Sequence, residues 1–155
     1  MMKKQIQVFF TLVLLTGLVN TAYSQVSKEQ LNEVFEAQKT LIEGSDRDCY
    51  PVNTVVGDLN GDGKPEGVVQ YNCGFKGSMG NASAGMGWAI LINRGGKLTV
   101  IINQTNVNNT IPLAIENGTI KAQKMKYKKE DARCCPSIKI AKKYKLIGNQ
   151  LKEVK

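Results

Sequence analysis

Residues 58–66 read Asp-Leu-Asn-Gly-Asp-Gly-Lys-Pro-Glu and lie between two apolar runs, 54–56 and 67–70. Oxygen-bearing side chains recur at alternate positions, and Gly63 follows the third. This is how a short loop wraps a hard cation: calcium takes six to eight oxygens in a flexible shell, and a glycine makes the sharp turn. Asp58, Asn60, Asp62 and Glu66 are the expected side-chain ligands, with the backbone carbonyl of Lys64 completing the set. The metal-free alternative is an ordinary acidic turn, in which Lys64 and backbone N–H groups satisfy the carboxylates. Magnesium fits less well, because it demands near-ideal octahedral geometry. On either reading, two strands enter and leave a tight loop, and the rest of the chain must supply their neighbours.

The first 24 residues have the pattern of a cleaved signal peptide. Lys3 and Lys4 form a basic start, an apolar run extends from residue 6 to 19, and Ala22-Tyr23-Ser24 ends it with small residues. The run is shorter than the roughly 20 apolar residues a membrane span requires. The mature chain is expected to be residues 25–155, one domain without a transmembrane segment, in the periplasm or secreted. All four cysteines, Cys49, Cys73, Cys134 and Cys135, fall in this exported part, and an even count in an oxidising compartment predicts two disulfides. Adjacent Cα atoms sit closer than a disulfide prefers. Cys134 and Cys135 are therefore expected to reach back separately to Cys49 and Cys73, in an order left open, so that loss of Cys135 would destabilise the fold. Zinc is disfavoured, since no C-x₂₋₄-C knuckle is present.

Ser27 and Gln30 have the spacing of a helix-capping box. Leu31, Val34, Phe35, Leu41 and Ile42 then predict one amphipathic helix over 28–43, stopped by Gly44 and Ser45. Beyond it the chain alternates strands and turns, with strands expected over 52–56, 67–72, 88–93, 98–102, 111–115, 120–127, 138–146 and 151–154. Gly95-Gly96 and Asn117-Gly118 are hairpin turns. The alternation slips by one residue after Ala122, which suggests a bulge. The expected fold is α+β: an N-terminal helix packed on a mostly antiparallel sheet of six to eight strands. The alternative is a small barrel with the helix as plug.

The chain contains no histidine, which removes the usual base near neutral pH. No S-x-x-K or G-x-S-x-G pattern appears either, so the reading leans away from an enzyme and names no catalytic residue. A histidine-free hydrolase is the remaining catalytic alternative. The favoured class is a binding module. Its expected surface is the glycine-rich 74–87 segment with Tyr71, Phe75, Met79, Met86 and Trp88, facing a protein or glycan. Core packing is the competing role for Trp88. A third class follows from charge. The net charge is +8, and residues 120–155 hold 12 basic and 3 acidic side chains. Lys121, Lys124, Lys126, Lys128, Lys129, Lys139, Lys142, Lys143 and Lys145 could meet an anionic envelope surface. Export and the absence of interleaved stacking aromatics argue against nucleic acid.

The 58–66 loop resembles the calcium loops of VCBS and FG-GAP repeats, whose D-x-[DN]-x-D-G-x-x-D pattern is matched by Asp58, Asn60, Asp62, Gly63 and Glu66. Glutamate replaces the usual last aspartate, and the loop occurs once, so the chain is too short for a propeller. Over most of its length the order of motifs is similar to a group of small exported bacterial proteins related to the LppP/LprE lipoprotein family. The loop, the glycine-rich turn, Asn93-Arg94-Gly95-Gly96-Lys97-Leu98, Cys134-Cys135-Pro136 and Lys143-Tyr144-Lys145-Leu146 carry this resemblance. It implies a bacterial envelope or secreted location and supplies no activity.

Overall fold

The structure, a computed structural model, describes residues 26–155 except 45, 79–82, 105–106 and 108. The 1–24 leader and Met79 lie outside the described residues. Ser27 caps the first helix as its spacing predicts. Its hydroxyl accepts from the Gln30 N–H at 3.2 Å, and the Gln30 side chain accepts from the Ser27 N–H at 2.9 Å. The expected single helix is two pieces, α1 (Lys28–Gln38) and a one-turn α2 (Thr40–Glu43). Leu31, Phe35 and Ile42 point into the core, whereas Leu41 is 74% exposed, contrary to the predicted stripe. Residues 31, 35 and 42 lie near one helical line, and position 41 falls about 100° from its neighbour 42. The Lys39 ammonium holds the junction, 3.1 Å from Glu36, 3.5 Å from Glu43 and 3.3 Å from Asp48. The Glu36 hydrogen bond is the largest cause of its raised pKa.

Eight strands follow: β1 (Arg47–Gly57), β2 (Glu66–Phe75), β3 (Ser83–Arg94), β4 (Lys97–Gln104), β5 (Thr110–Glu116), β6 (Thr119–Lys126), β7 (Ile138–Ile147) and β8 (Gln150–Val154). They form two four-stranded antiparallel meanders, β1-β2-β3-β4 and β5-β6-β7-β8. The fold is α+β, and the sheets are not closed into a barrel. The layers run helix, first sheet, second sheet. Successive residues of a strand face opposite ways, so β2 and β3 serve two cores at once. Val69, Tyr71, Cys73, Ala89 and Leu91 meet Leu31 and Phe35 on the helix side. Val68, Trp88, Ile90 and Ile92 meet Ile120 and Ala122 of β6 on the other. Burial on both faces explains why these two strands read as near-continuous apolar runs.

Close approach dictates glycine at two positions, Gly57 against Ile115 of β5 and Gly67 against α1. A Cβ at Gly67 would lie 2.2 Å from Leu31 Cδ1, so α1 rests directly on the backbone of β2. Between the sheets, the Asn53 side chain donates to the Pro112 carbonyl at 2.7 Å. The Trp88 indole N–H donates to the Thr110 carbonyl at 3.2 Å, and the ring meets Tyr144 edge-on at 5.3 Å.

Two further expectations are corrected. The disulfides are Cys49–Cys73 and Cys134–Cys135. Cys49 and Cys73 are directly opposed in the β1–β2 ladder, with Cα atoms 4.0 Å apart, and both face the helix side. Cys134 and Pro136 lie with Gln70 and Asn72, on the face of β2 opposite Cys73, so the sheet separates this cysteine pair from Cys49 and Cys73. The bond between neighbours is the remaining one, and the loop accommodates it with exposed side chains. The bulge expected in β6 is also absent. Its pairing with β7 is unbroken, and the register shift lies in β5 between Pro112 and Ala114. The slip in the β6 pattern is a change of face: Ile120 and Ala122 enter the core, while Met125 turns to the other side.

Candidate cation site and binding surfaces

The β1–β2 connection turns on two left-handed glycines, Gly61 at φ 82° and Gly63 at φ 79°. Carboxylates and amides organise the backbone around them. Asp58 accepts from the N–H groups of Gly61 at 2.6 Å and Gly63 at 2.9 Å. Asn60 accepts from Asp62 N–H and Asp62 from Lys64 N–H, each at 2.8 Å. Glu66 opens β2 and is fully buried. Its two oxygens accept from Leu59 N–H at 2.8 Å and the Asn60 amide at 3.1 Å. Leu59 is itself buried in the inter-sheet core and anchors the loop to the fold.

Oxygens of Asp58, Asp62 and Glu66 all lie within 4.8 Å of one another, an arrangement that could hold a divalent cation. Each carboxylate oxygen offers more than one lone pair, so these hydrogen bonds leave acceptor capacity for an ion. The donor set is all oxygen, which suits a hard cation. Burial raises the pKa of Glu66, and the neighbouring negative charges of Asp62 and Asp58 push it the same way, while the Leu59 hydrogen bond opposes them. A cation would reverse those repulsions. Lys64 contributes its N–H to Asp62, and Asn60 bridges the outer loop to Glu66.

The expected aromatic surface does not assemble. Tyr71 is 2% exposed and stacks on Phe35 with ring centroids 5.5 Å apart, and Trp88 is wholly buried. Their strand positions point them into the two cores. Phe75 is exposed at the end of β2. Met86 instead lines a groove with Gln70, Asn72, Asn109, Met125 and Tyr127. Sequence reasoning missed this group. Its traces were the polar positions 70 and 72, alternating with buried ones, and the change of face in β6.

The lysines separate by strand face. Register and alternation put Lys121, Lys139, Lys143, Lys145 and Lys152 on the outer face of the second sheet, with Lys121 opposite Lys143 and Lys145 opposite Lys152. Lys142 faces the other way and pairs with Glu153 at 2.5 Å; Lys124 and Lys126 also lie on that side. Among the described residues, no helix is long and apolar enough to cross a membrane. No family model matches the chain, and neither does any curated protein or solved structure.

Proposed function

We propose that this protein is an exported, calcium-binding module with a non-catalytic binding role in the bacterial envelope. The observation that carries the reading is the convergence of Asp58, Asp62 and Glu66 on one loop that is already tied down by its own N–H groups. Such a loop loses little conformational freedom when an ion enters. The variable coordination of calcium suits this irregular oxygen set better than magnesium's octahedron. The resemblance to VCBS and FG-GAP loops, and to small exported bacterial proteins, supports the same ion and the same location. The test is calorimetric titration of calcium into the protein, with Asp58→Ala and Asp62→Ala beside it. Saturable heat that disappears in both variants is expected. Neither heat nor a thermal shift at about 1 mM calcium, the range of extracellular modules, would leave an acidic turn held by its own backbone.

A second reading is favoured by the outer lysine face. Like charges directly opposed in a ladder are destabilising, yet the second sheet sets Lys145 opposite Lys152 and Lys121 opposite Lys143, the Lys121 charge being offset by its ion pair with Glu116. An anionic envelope surface laid on this face would relieve the repulsion. This reading and the calcium reading use different parts of the molecule and are compatible.

A further inference from the structure

The geometry points to a soft-metal site, for monovalent copper, that the Cys134–Cys135 bridge closes and its reduction opens. The ligands are Met86, Met125 and Cys134, and none of them belongs to the 58–66 loop. All three side chains line one groove of about 220 Å³. They arrive from separate parts of the fold: Met86 from β3, Met125 from β6 and Cys134 from the 128–137 loop. Met86 and Met125 are the two methionines among the described residues, and the groove gathers both. Each is half-buried and Cys134 is exposed, so none of the three is sealed in the core. The Asn109 N–H donates to the Met86 sulfur at 3.3 Å, which holds that thioether at the groove. Long unbranched methionine side chains can adjust to meet one ion from opposite walls.

The lining selects the ion. Thioethers and thiolates are soft ligands, and soft ligands select monovalent copper. Among the described residues no carboxylate lines the groove, and the chain has no histidine. Calcium would find amides there but no carboxylate, and zinc a single thiolate in place of its usual three or four protein ligands. One thiolate cancels the single charge of the copper ion. The occupied groove is then neutral, which suits a lining without charged side chains, whereas a divalent ion would keep a net charge. In the oxidised protein Cys134 is bound to Cys135 and offers no thiolate. Exposure leaves this bridge open to attack. The reductant is a dithiol of the thiol–disulfide oxidoreductase class. Its first thiolate attacks the bridge to form a mixed disulfide, and its second displaces the first. The reductant leaves as a disulfide, and Cys134 and Cys135 take up two electrons and two protons as thiols. Copper then replaces the Cys134 proton. The loop keeps its place when the ring opens, because Asp131 accepts from the Lys128 and Ser137 N–H groups and Tyr127 donates to the Arg133 carbonyl. The buried Cys49–Cys73 bridge is shielded from the same attack.

The test is an anaerobic titration of the folded protein with monovalent copper in competition with bicinchoninate, with zinc titrated alongside. The protein is compared with both bridges intact and after mild reduction that spares Cys49–Cys73, as checked by mass spectrometry. The expected result is a single copper ion bound by the reduced form and an affinity about a hundredfold lower for the oxidised form. Cys135→Ser frees Cys134 without reductant and should bind as the reduced wild type does, whereas Cys134→Ser should lose the site. Met86→Leu and Met125→Leu conserve side-chain volume, and each should weaken binding about tenfold. The methyl NMR signals of Met86 and Met125 should shift when copper enters the reduced protein. Equal affinity in the oxidised and reduced forms would overturn the proposal. So would equal losses in the two cysteine variants, which would mark a bare dithiol, unchanged affinity in both methionine variants, or tighter binding of zinc than of copper.

Discussion

The two disulfides should differ sharply in what they do for stability, because they close loops of very different length. Cys49 and Cys73 are separated by 24 positions and lie buried in the helix-side core. In the chain-entropy account, a bridge closing about 25 residues removes roughly 12 cal/mol/K from the unfolded chain, or about 3.5 kcal/mol at room temperature. For a domain of this size each kcal/mol moves the midpoint by about 4 °C. The double variant Cys49→Ala/Cys73→Ala should therefore melt about 14 °C below the wild type, and more if the lost sulfur atoms leave a void beside Tyr71 and Leu91. Cys134 and Cys135 are neighbours on an exposed loop, and their bridge restricts almost no chain. The loop is also pinned without it: the Asp131 carboxylate accepts from Lys128 and Ser137 N–H at 2.8 Å each, and Tyr127 donates to the Arg133 carbonyl at 2.6 Å. Cys134→Ala/Cys135→Ala should cost at most about 1 kcal/mol. Thermal melts followed by circular dichroism, run without calcium, separate the two. Equal losses in both variants, or a loss under about 3 °C for the Cys49/Cys73 pair where loop closure requires several times that, would refute the assignment of the structural staple.

Glu66 gives a pH signature. Its pKa is raised in the folded protein, so between its ordinary value and the raised one the native state holds a proton that the unfolded chain has lost. This contribution is full below the unfolded value and is lost as pH rises through the folded value. In calcium-free buffer, denaturant titrations should show the wild type losing stability relative to Glu66→Gln across that interval; parallel curves would mean that the carboxylate is not strained by its burial. The outer lysine face predicts co-sedimentation with anionic phospholipid vesicles that falls steeply as salt rises toward about 0.5 M, where screening is short-ranged. Lys143→Glu/Lys145→Glu should abolish it, while Lys124→Glu/Lys126→Glu, on the other side of the sheet, should leave most of it.

Features governed by short-range chemistry were legible along the chain. The capping box at Ser27 and Gln30, the turns at Gly95-Gly96 and Asn117-Gly118, and the loop glycines at 61 and 63 each depend on residues within a few positions of one another. The alternation of Ile138, Ile140, Tyr144 and Leu146 with outward residues likewise placed β7 with its correct face inward. The acidic cluster of the 58–66 loop belongs to this class too, since Asp58, Asp62 and Glu66 converge through local turns. The aromatic surface was not legible. Tyr71 and Trp88 look alike as candidates for exposure, and only the presence of a layer on each side of the first sheet buries them both.

A helix followed by a series of antiparallel strands could be read directly along the chain, because capping, turn chemistry and the two-residue period are local properties. So could the meeting of Asp58, Asn60, Asp62 and Glu66 in one loop. The tertiary structure alone decided that the strands divide into two sheets, since pairing between distant segments depends on how whole faces pack. That division put Cys49 and Cys73 on one side of the first sheet and the 128–137 loop on the other, which settled the disulfide pairing. It also brought Gln70, Asn72, Asn109, Met125 and Tyr127 around one groove, from strands and loops up to 57 positions apart. No local pattern marks residues that share only a destination.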